Sequence, residues 1–341
     1  MRFYKIFTTL SFVALLSSCA AVNYSYDGKV FKDAYSSIKS EELKENLYVI
    51  AADDMEGRDT GSPGQKRAAD YIINFYKNLN ISHPPEMSSY LQTVPADYMN
   101  KKSRRGETFN DSANILAFIK GREKPEEIVV ISAHYDHVGT KNGVVYNGAD
   151  DDGSGTVAVM EIAEAFKQAE KEGHGPKRSI LFLHVTGEEH GLFGSSYYAD
   201  NPIFPLKNTV ADLNIDMIGR DDADNRGQNY VYVIGSEMLS SDLKKINETA
   251  NAKTNQLILN YKYDDPNDPQ RLYYRSDHYN FAKKGIPVAF FFDGIHEDYH
   301  KPTDDPEKIN YVLLQKRAQL VFATAWELAN RKDRIVVDKK Q

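Results

Sequence analysis

The sequence predicts an α/β fold, a three-layer sandwich in which a central mixed, largely parallel β-sheet is flanked by helices. Two observations carry this expectation. Short apolar runs rich in β-forming residues alternate along the chain with segments of helical periodicity, the pattern of strand–helix–strand units. The runs are also nearly continuous in apolar residues, as strands covered on both faces are.

The first clear element is a helix. Ser62 can cap it, Pro63 suits its first position, and Gln65 stands where a capping box needs it. Ala68, Tyr71, Ile72, Phe75 and Leu79 then form one apolar face, so this helix runs from about Pro63 to Leu79. Strands follow at Asn114 to Ile119, Ile128 to Ala133, Ile180 to Val185, Val210 to Ile215, Tyr230 to Ile234 and Pro287 to Phe292. Helical patterns lie between and after them, at Thr156 to Gln168, Ser241 to Ala250, Ser276 to Lys284 and Tyr311 to Ala329. Lys101 to Asp111 and Asp264 to Gln270 read as surface loops.

The chain has 341 residues, 41% of them hydrophobic and 27% charged, enough to bury the core of one sizeable domain, placed at residues 41–332. A formal charge of −7 excludes the basic surface of an electrostatic nucleic-acid binder. Arg2 and Lys5 precede an apolar run from Ile6 to Leu16, too short to span a bilayer, so residues 1–18 read as a signal peptide. Leu16-Ser17-Ser18-Cys19 resembles a bacterial lipobox, which implies a protein exported to the cell envelope and held at a membrane only by lipid on Cys19. Cys19 is the one cysteine, so no intramolecular disulfide can form. Residues 19–40, Tyr- and Ser-rich, are expected to be a tether without fold, and 333–341 a polar tail.

Open α/β sheets bind ligands beyond the carboxyl ends of their strands. Those ends here carry His134-Tyr135-Asp136, Gly187-Glu188-Glu189 and Asp216, with Asp150-Asp151-Asp152-Gly153 in a glycine-bearing loop and His300 beyond the last run. Several carboxylates buried at one edge need cations to hold them. Oxygen and nitrogen donors without cysteine suit Zn²⁺, with Mn²⁺ or Co²⁺ as substitutes.

The ordered set His-x-Asp, Asp-Asp-Asp-Gly-Ser-Gly, Gly-Glu-Glu-x-Gly-Leu-x-Gly-Ser, Asn-x-Asp-Met and Tyr-His-x-Pro-x-Asp resembles peptidase family M28 over about Glu56 to Trp326. The resemblance implies a zinc-exopeptidase-like fold and an aminopeptidase that hydrolyses the N-terminal bond of peptides with a free N-terminus. It further implies two zinc ions per chain, one held by His134 and Asp216, the other by Glu189 and His300, with Asp151 bridging and a cis peptide between Asp151 and Asp152. Asp136 would orient the His134 imidazole, and Glu188 would be the general base. His278 is the rival of His300, while His83, His137, His174, His184, His190 and His296 receive no role. A glutaminyl cyclase, a carboxypeptidase and a non-catalytic binding protein are the competing expectations on the same fold.

Overall fold

A computed structural model describes residues 24–265 and 267–339. The described residues begin with three helices, α1 (Lys29–Ser37), α2 (Ser40–Ile50) and α3 (Pro63–Leu79), followed by β1 (Leu91–Val94), α4 (Ala96–Lys102), β2 (Ser112–Ile119) and β3 (Lys124–His134). A small hairpin of β4 (Thr140–Lys141) and β5 (Val144–Val145) leads to α5 (Gly155–Lys171), β6 (Arg178–Val185), α6 (Phe193–Asp200), β7 (Thr209–Ile215) and β8 (Tyr230–Ile234). Then come α7 (Ser241–Lys253), β9 (Ile258–Asn260), α8 (His278–Ala282), β10 (Val288–Phe292) and α9 (Tyr311–Asn330).

Eight strands form one sheet in the order β1-β2-β6-β3-β7-β10-β8-β9. Its central strands β6, β3, β7 and β10 are parallel, and β2 and β8 join them antiparallel on either side. Side chains alternate across each strand, so Val129, Ile131 and Ala133 of β3 enter the core beneath α2, α3, α5 and α9. Ile128 and Val130 face the opposite core, which contains Tyr198 of α6 and Phe281 of α8. The result is the expected three-layer, largely parallel sandwich, with the carboxyl ends of four parallel strands on one edge.

Helix α3 begins where its capping residues predict: the Ser62 hydroxyl accepts from the Gln65 N–H at 3.1 Å. The Gln65 carbonyl reaches one residue further back than a capping box does, accepting from Gly61 N–H at 2.7 Å, and its amide donates to Thr186 at 2.6 Å. Gln65 thereby ties the start of α3 to the end of β6.

Two boundaries differ from expectation. The supposed tether contains α1, whose Phe31 and Ala34 are buried, and Phe31 packs on Phe322 and Trp326 of α9. Phe31, Ala34 and Ile38 recur at helical spacing, and burying that face outweighs the polar composition around it. Residues 333–339 of the expected polar tail also lie on the body, with Ile335 buried and Lys339 N–H donating to Leu239 O at 3.2 Å. The expected signal peptide and Cys19 lie outside the described residues.

Candidate active site

The parallel strands deliver their chemistry to one edge. His134 is the last residue of β3, Glu188 and Glu189 follow β6, Asp216 follows β7 directly, and His300 lies in the loop after β10. His134 Nε2 stands 3.3 Å from Asp151 Oδ1 and 3.6 Å from Asp216 Oδ1. On the other side of Asp151, His300 Nε2 is 3.0 Å from Asp151 Oδ2 and 3.0 Å from Glu189 Oε2. Two donor groups thus share Asp151, one oxygen to each.

An imidazole that received no role from the sequence completes the second group. His137, fully buried, has Nδ1 2.8 Å from Glu189 Oε1 and 3.8 Å from Asp151 Oδ2. The signal was a His-x-x-His spacing, His134 to His137, directly past a strand. Its ring is wedged in place, because a Cβ on Gly148 would lie 2.4 Å from it.

The donor set fits zinc. His134 Nε2, Asp151 Oδ2, Glu189 Oε1 and both His137 nitrogens are buried and, close as several stand to one another, none is in a well-aligned hydrogen bond among the described residues. Orphaned acceptors at this density are costly unless a cation satisfies them, and the N/O donors without sulfur match zinc chemistry. His134, Asp151 and Asp216 form one compact group, and His137, Asp151 and Glu189 the other.

Local hydrogen bonding explains why the middle aspartate of the triplet faces the cluster. Asp150 is turned away: its carboxylate accepts from Gly219 N–H at 2.6 Å and meets His296 Nε2 at 3.1 Å. Asp152 accepts from Met217 N–H at 3.1 Å and Gly155 N–H at 2.9 Å. Asp304 holds the turn itself, accepting from the N–H groups of Asp150 and Asp151. Only Asp151 keeps its oxygens for the cluster, and its peptide bond to Asp152 is cis. Arg58, completely buried, clamps the surrounding loops by donating to the carbonyls of Ile50, Tyr135, Asn147 and Gly148.

Asp136 acts on His134 differently from expectation. Its backbone carbonyl, not its carboxylate, receives His134 Nδ1 at 3.0 Å, and the carboxylate lies 3.7 Å away. The carboxylate instead accepts from Glu188 N–H at 3.2 Å and the Thr60 hydroxyl at 3.0 Å. Thr60 and the Glu188 amide are the donors the carboxylate can reach, so Asp136 links the ring carrier to the segment of Glu188. Asp216 is oriented from behind by the Ser276 hydroxyl at 2.6 Å.

The electrostatics separate the carboxylates. Burial opposes ionisation of Asp151, but the imidazoles of His134 and His300 at its oxygens hold its carboxyl well below the usual range. Burial pushes Glu188 well above that range, the charges of Asp216 and Glu189 adding to the shift against His134. Glu188 Oε2 is 4.0 Å from His134 Nε2, and its side chain remains 13% exposed. It therefore overlooks the cluster while staying open to a substrate.

His278, the rival imidazole, stands apart: it stacks on Phe290 at 4.7 Å between centroids, and burial pushes it down to about 3. His184 is a core histidine paired with the Tyr76 hydroxyl at 2.7 Å, as its place within a strand implies. Of the aromatic run, Phe290 and Phe292 line a small pocket of ≈ 40 Å³ against Asp151, Glu188 and Asp216, whereas Phe291 points into the opposite core. A wider cleft of ≈ 710 Å³ continues from Glu188, Arg275 and Tyr299 past Glu189 and His300.

Comparison with known proteins finds aminopeptidases among the relatives. A probable leucine aminopeptidase of Arthroderma otae is 29% identical over 271 residues, 77% of this chain and 71% of that protein. One of Trichophyton verrucosum is 32% identical over 224 residues, covering 63% and 57%. Aminopeptidase YwaD of Bacillus subtilis is 30% identical over 242 residues, covering 69% and 48%. The matched stretch thus spans between about half and seven tenths of these relatives. Among solved structures, BSAP, a zinc aminopeptidase from Bacillus subtilis, superposes with a TM-score of 0.65 at 19% identity, covering 86% of this chain and 96% of that one. A glutaminyl cyclase of Porphyromonas gingivalis gives 0.64 at 17% identity, covering 84% and 97%, so fold likeness does not separate hydrolysis from cyclisation. The model of peptidase family M28 matches residues 114–325, the stretch that carries every residue of the donor cluster, and this chain belongs to that family.

Proposed function

We propose that the chain is an aminopeptidase that holds two zinc ions and removes the N-terminal residue of peptides. The observation that carries the reading is the pair of buried donor groups sharing Asp151, with Glu188 beside them. His134 and Asp216 would hold one ion, Glu189 and His300 the other, with Asp151 between them and His137 adding a third imidazole. Zinc bound there supplies a Lewis acid that activates water and polarises the scissile carbonyl.

Glu188 accepts the proton of the attacking water and returns it to the leaving amine, a task suited to a carboxyl that stands beside the donor groups and stays open to a substrate. The small pocket adjoins the donor groups, and Phe290, Phe292, Leu272 and Met217 give it apolar walls beside the polar Arg275, Ser276 and the cluster carboxylates. An N-terminal side chain of modest apolar character fits there, and the rest of the peptide leaves through the wide cleft.

Export and lipid attachment at Cys19 belong to the same proposal. Cys19→Ala moves the protein from the membrane fraction to the soluble one if the anchor is real, and unchanged membrane association contradicts it. The activity is tested with leucyl-glycinamide, its N-acetyl form and an N-terminal glutaminyl peptide. Hydrolysis confined to the free amine supports an aminopeptidase, while cyclisation of the glutaminyl peptide without hydrolysis replaces that reading with a cyclase.

A further inference from the structure

The wide cleft has a charge opposite to that of the chain as a whole. The formal net charge is −7, yet Lys102, Arg104, Arg105, Arg275 and Lys283 all line this cleft, and its only carboxylates are Glu188 and Glu189. Both of those already have roles in the proposed reaction. Arg104, Arg105, Arg275 and Lys283 form no ion pair with a carboxylate among the described residues, whereas Lys102 and its neighbour Lys284 share Asp200. Lys283 feels the crowding: burial and the charge of Lys102 lower its affinity for a proton against the nearby Asp200, and Lys284 adds to the lowering.

The segment that carries Arg104 and Arg105 is anchored beside the site. Phe109 is buried against Phe193 and His190, with ring centroids 5.5 and 4.8 Å apart, and its N–H donates to Asn100 at 2.8 Å. Glu107 meets His190 Nδ1 at 3.3 Å, one residue past Glu189. The two arginines therefore stand on the wall over which a peptide leaves the small pocket. Unpaired cations gathered in a cleft raise the local concentration of anions and favour them at that wall.

We propose that this wall is a carboxylate-binding subsite on the leaving-group side, selecting peptides that present an anion just beyond the scissile bond. Its substrates are short peptides whose free C-terminal carboxylate lies within reach, or peptides with an acidic residue after the first. The inference rests on the aminopeptidase reading, which orients the peptide with its N-terminus in the small pocket.

The test compares kcat/KM for four substrates of the zinc-loaded full chain: leucyl-glycine, leucyl-glycinamide, leucyl-glutamic acid α-amide and leucyl-glutamine amide. Each anionic member is expected to exceed its neutral partner by about fivefold to tenfold at low ionic strength, the sum of several exposed pairs. The ratio should shrink towards one between about 0.1 M and about 1 M salt, as screening shortens the reach of the field. In Arg104→Gln/Arg105→Gln and in Lys283→Gln the ratio should fall in the same direction. Preference for leucyl-glycine alone assigns the subsite to the C-terminus, and preference for the glutamyl amide assigns it to side chains. Ratios of one in the parent enzyme overturn this inference and leave the aminopeptidase reading standing. Failure to hydrolyse any of the four overturns both.

Discussion

Glu188→Gln separates the proton-transfer role from every other property of the site. The substitution keeps the shape of the side chain, and the backbone N–H that donates to Asp136 at 3.2 Å is untouched. Glu188 lies 4.0 Å from His134 Nε2, farther than either Asp151 or Asp216, so losing its charge should leave zinc content unchanged. What disappears is the carboxylate of the cluster that lines both the small pocket and the wide cleft. General acid–base catalysis is worth about 10²–10⁴ in rate, which is about 3–5 kcal/mol of barrier at roughly 1.4 kcal/mol per decade. The fall is expected in kcat, with KM within about threefold, because the lost interaction is made in the transition state. Steady-state hydrolysis of leucyl-glycinamide, paired with metal analysis of the same sample, reads both quantities. A zinc-replete variant with near-normal kcat would refute the assignment, and a variant that loses zinc would make Glu188 a ligand.

Other perturbations probe the frame around it. His300→Ala should reduce zinc from about two to about one per chain, and His137→Ala should weaken the second site by about tenfold to a hundredfold, measured by competition with a chelator. Unchanged zinc affinity in His137→Ala would restrict that imidazole to packing. Arg58→Met leaves four carbonyls without their donor and should cost about 3–5 kcal/mol in denaturant unfolding; a loss under about 1 kcal/mol would contradict its role as the clamp. Glu161 tests the pH dependence of stability. Burial, with repulsion from Glu164 and Glu42, raises its carboxyl from 4.5 to about 8. The folded state holds that proton more tightly than the unfolded chain, so the contribution is complete below about 4.5 and lost as pH rises through about 8. Glu161→Gln, which can still accept from Asn46 as Glu161 does at 2.8 Å, should therefore stabilise the protein by roughly 3 kcal/mol at pH 7 and flatten the loss between those values. Equal stability of the two proteins at pH 7 would show that Glu161 is ionised there at no cost.

The sheet was legible in the sequence because its central strands are covered on both faces and so are apolar throughout. Tyr230–Ile234 appears with the same limits in sequence and structure, and α3 begins at Pro63 because Ser62 and Gln65 act locally. Edge elements were not legible: β1 alternates with exposed residues, β9 has no buried residue, and both owe their pairing to the neighbouring strand. Helix α1 was hidden by its Tyr- and Ser-rich composition, although Phe31, Ala34 and Ile38 carry the spacing of a buried face. At the site, ordered motifs pick out the residues that the fold brings together. They leave out what geometry alone decides: that His137 meets Glu189, that Asp136 turns its carbonyl to His134, and that Asp304 and Asp150 brace the turn of Asp151.

The central claim is that two buried donor groups sharing Asp151 make this chain a two-zinc aminopeptidase. Its most direct test is zinc stoichiometry measured alongside hydrolysis of leucyl-glycinamide and its N-acetyl form, before and after chelation. The account predicts about two zinc ions per chain and activity that needs the free amine, vanishes on chelation and returns with zinc. Hydrolysis that survives complete removal of metal, or that proceeds equally on the acetylated substrate, would contradict it.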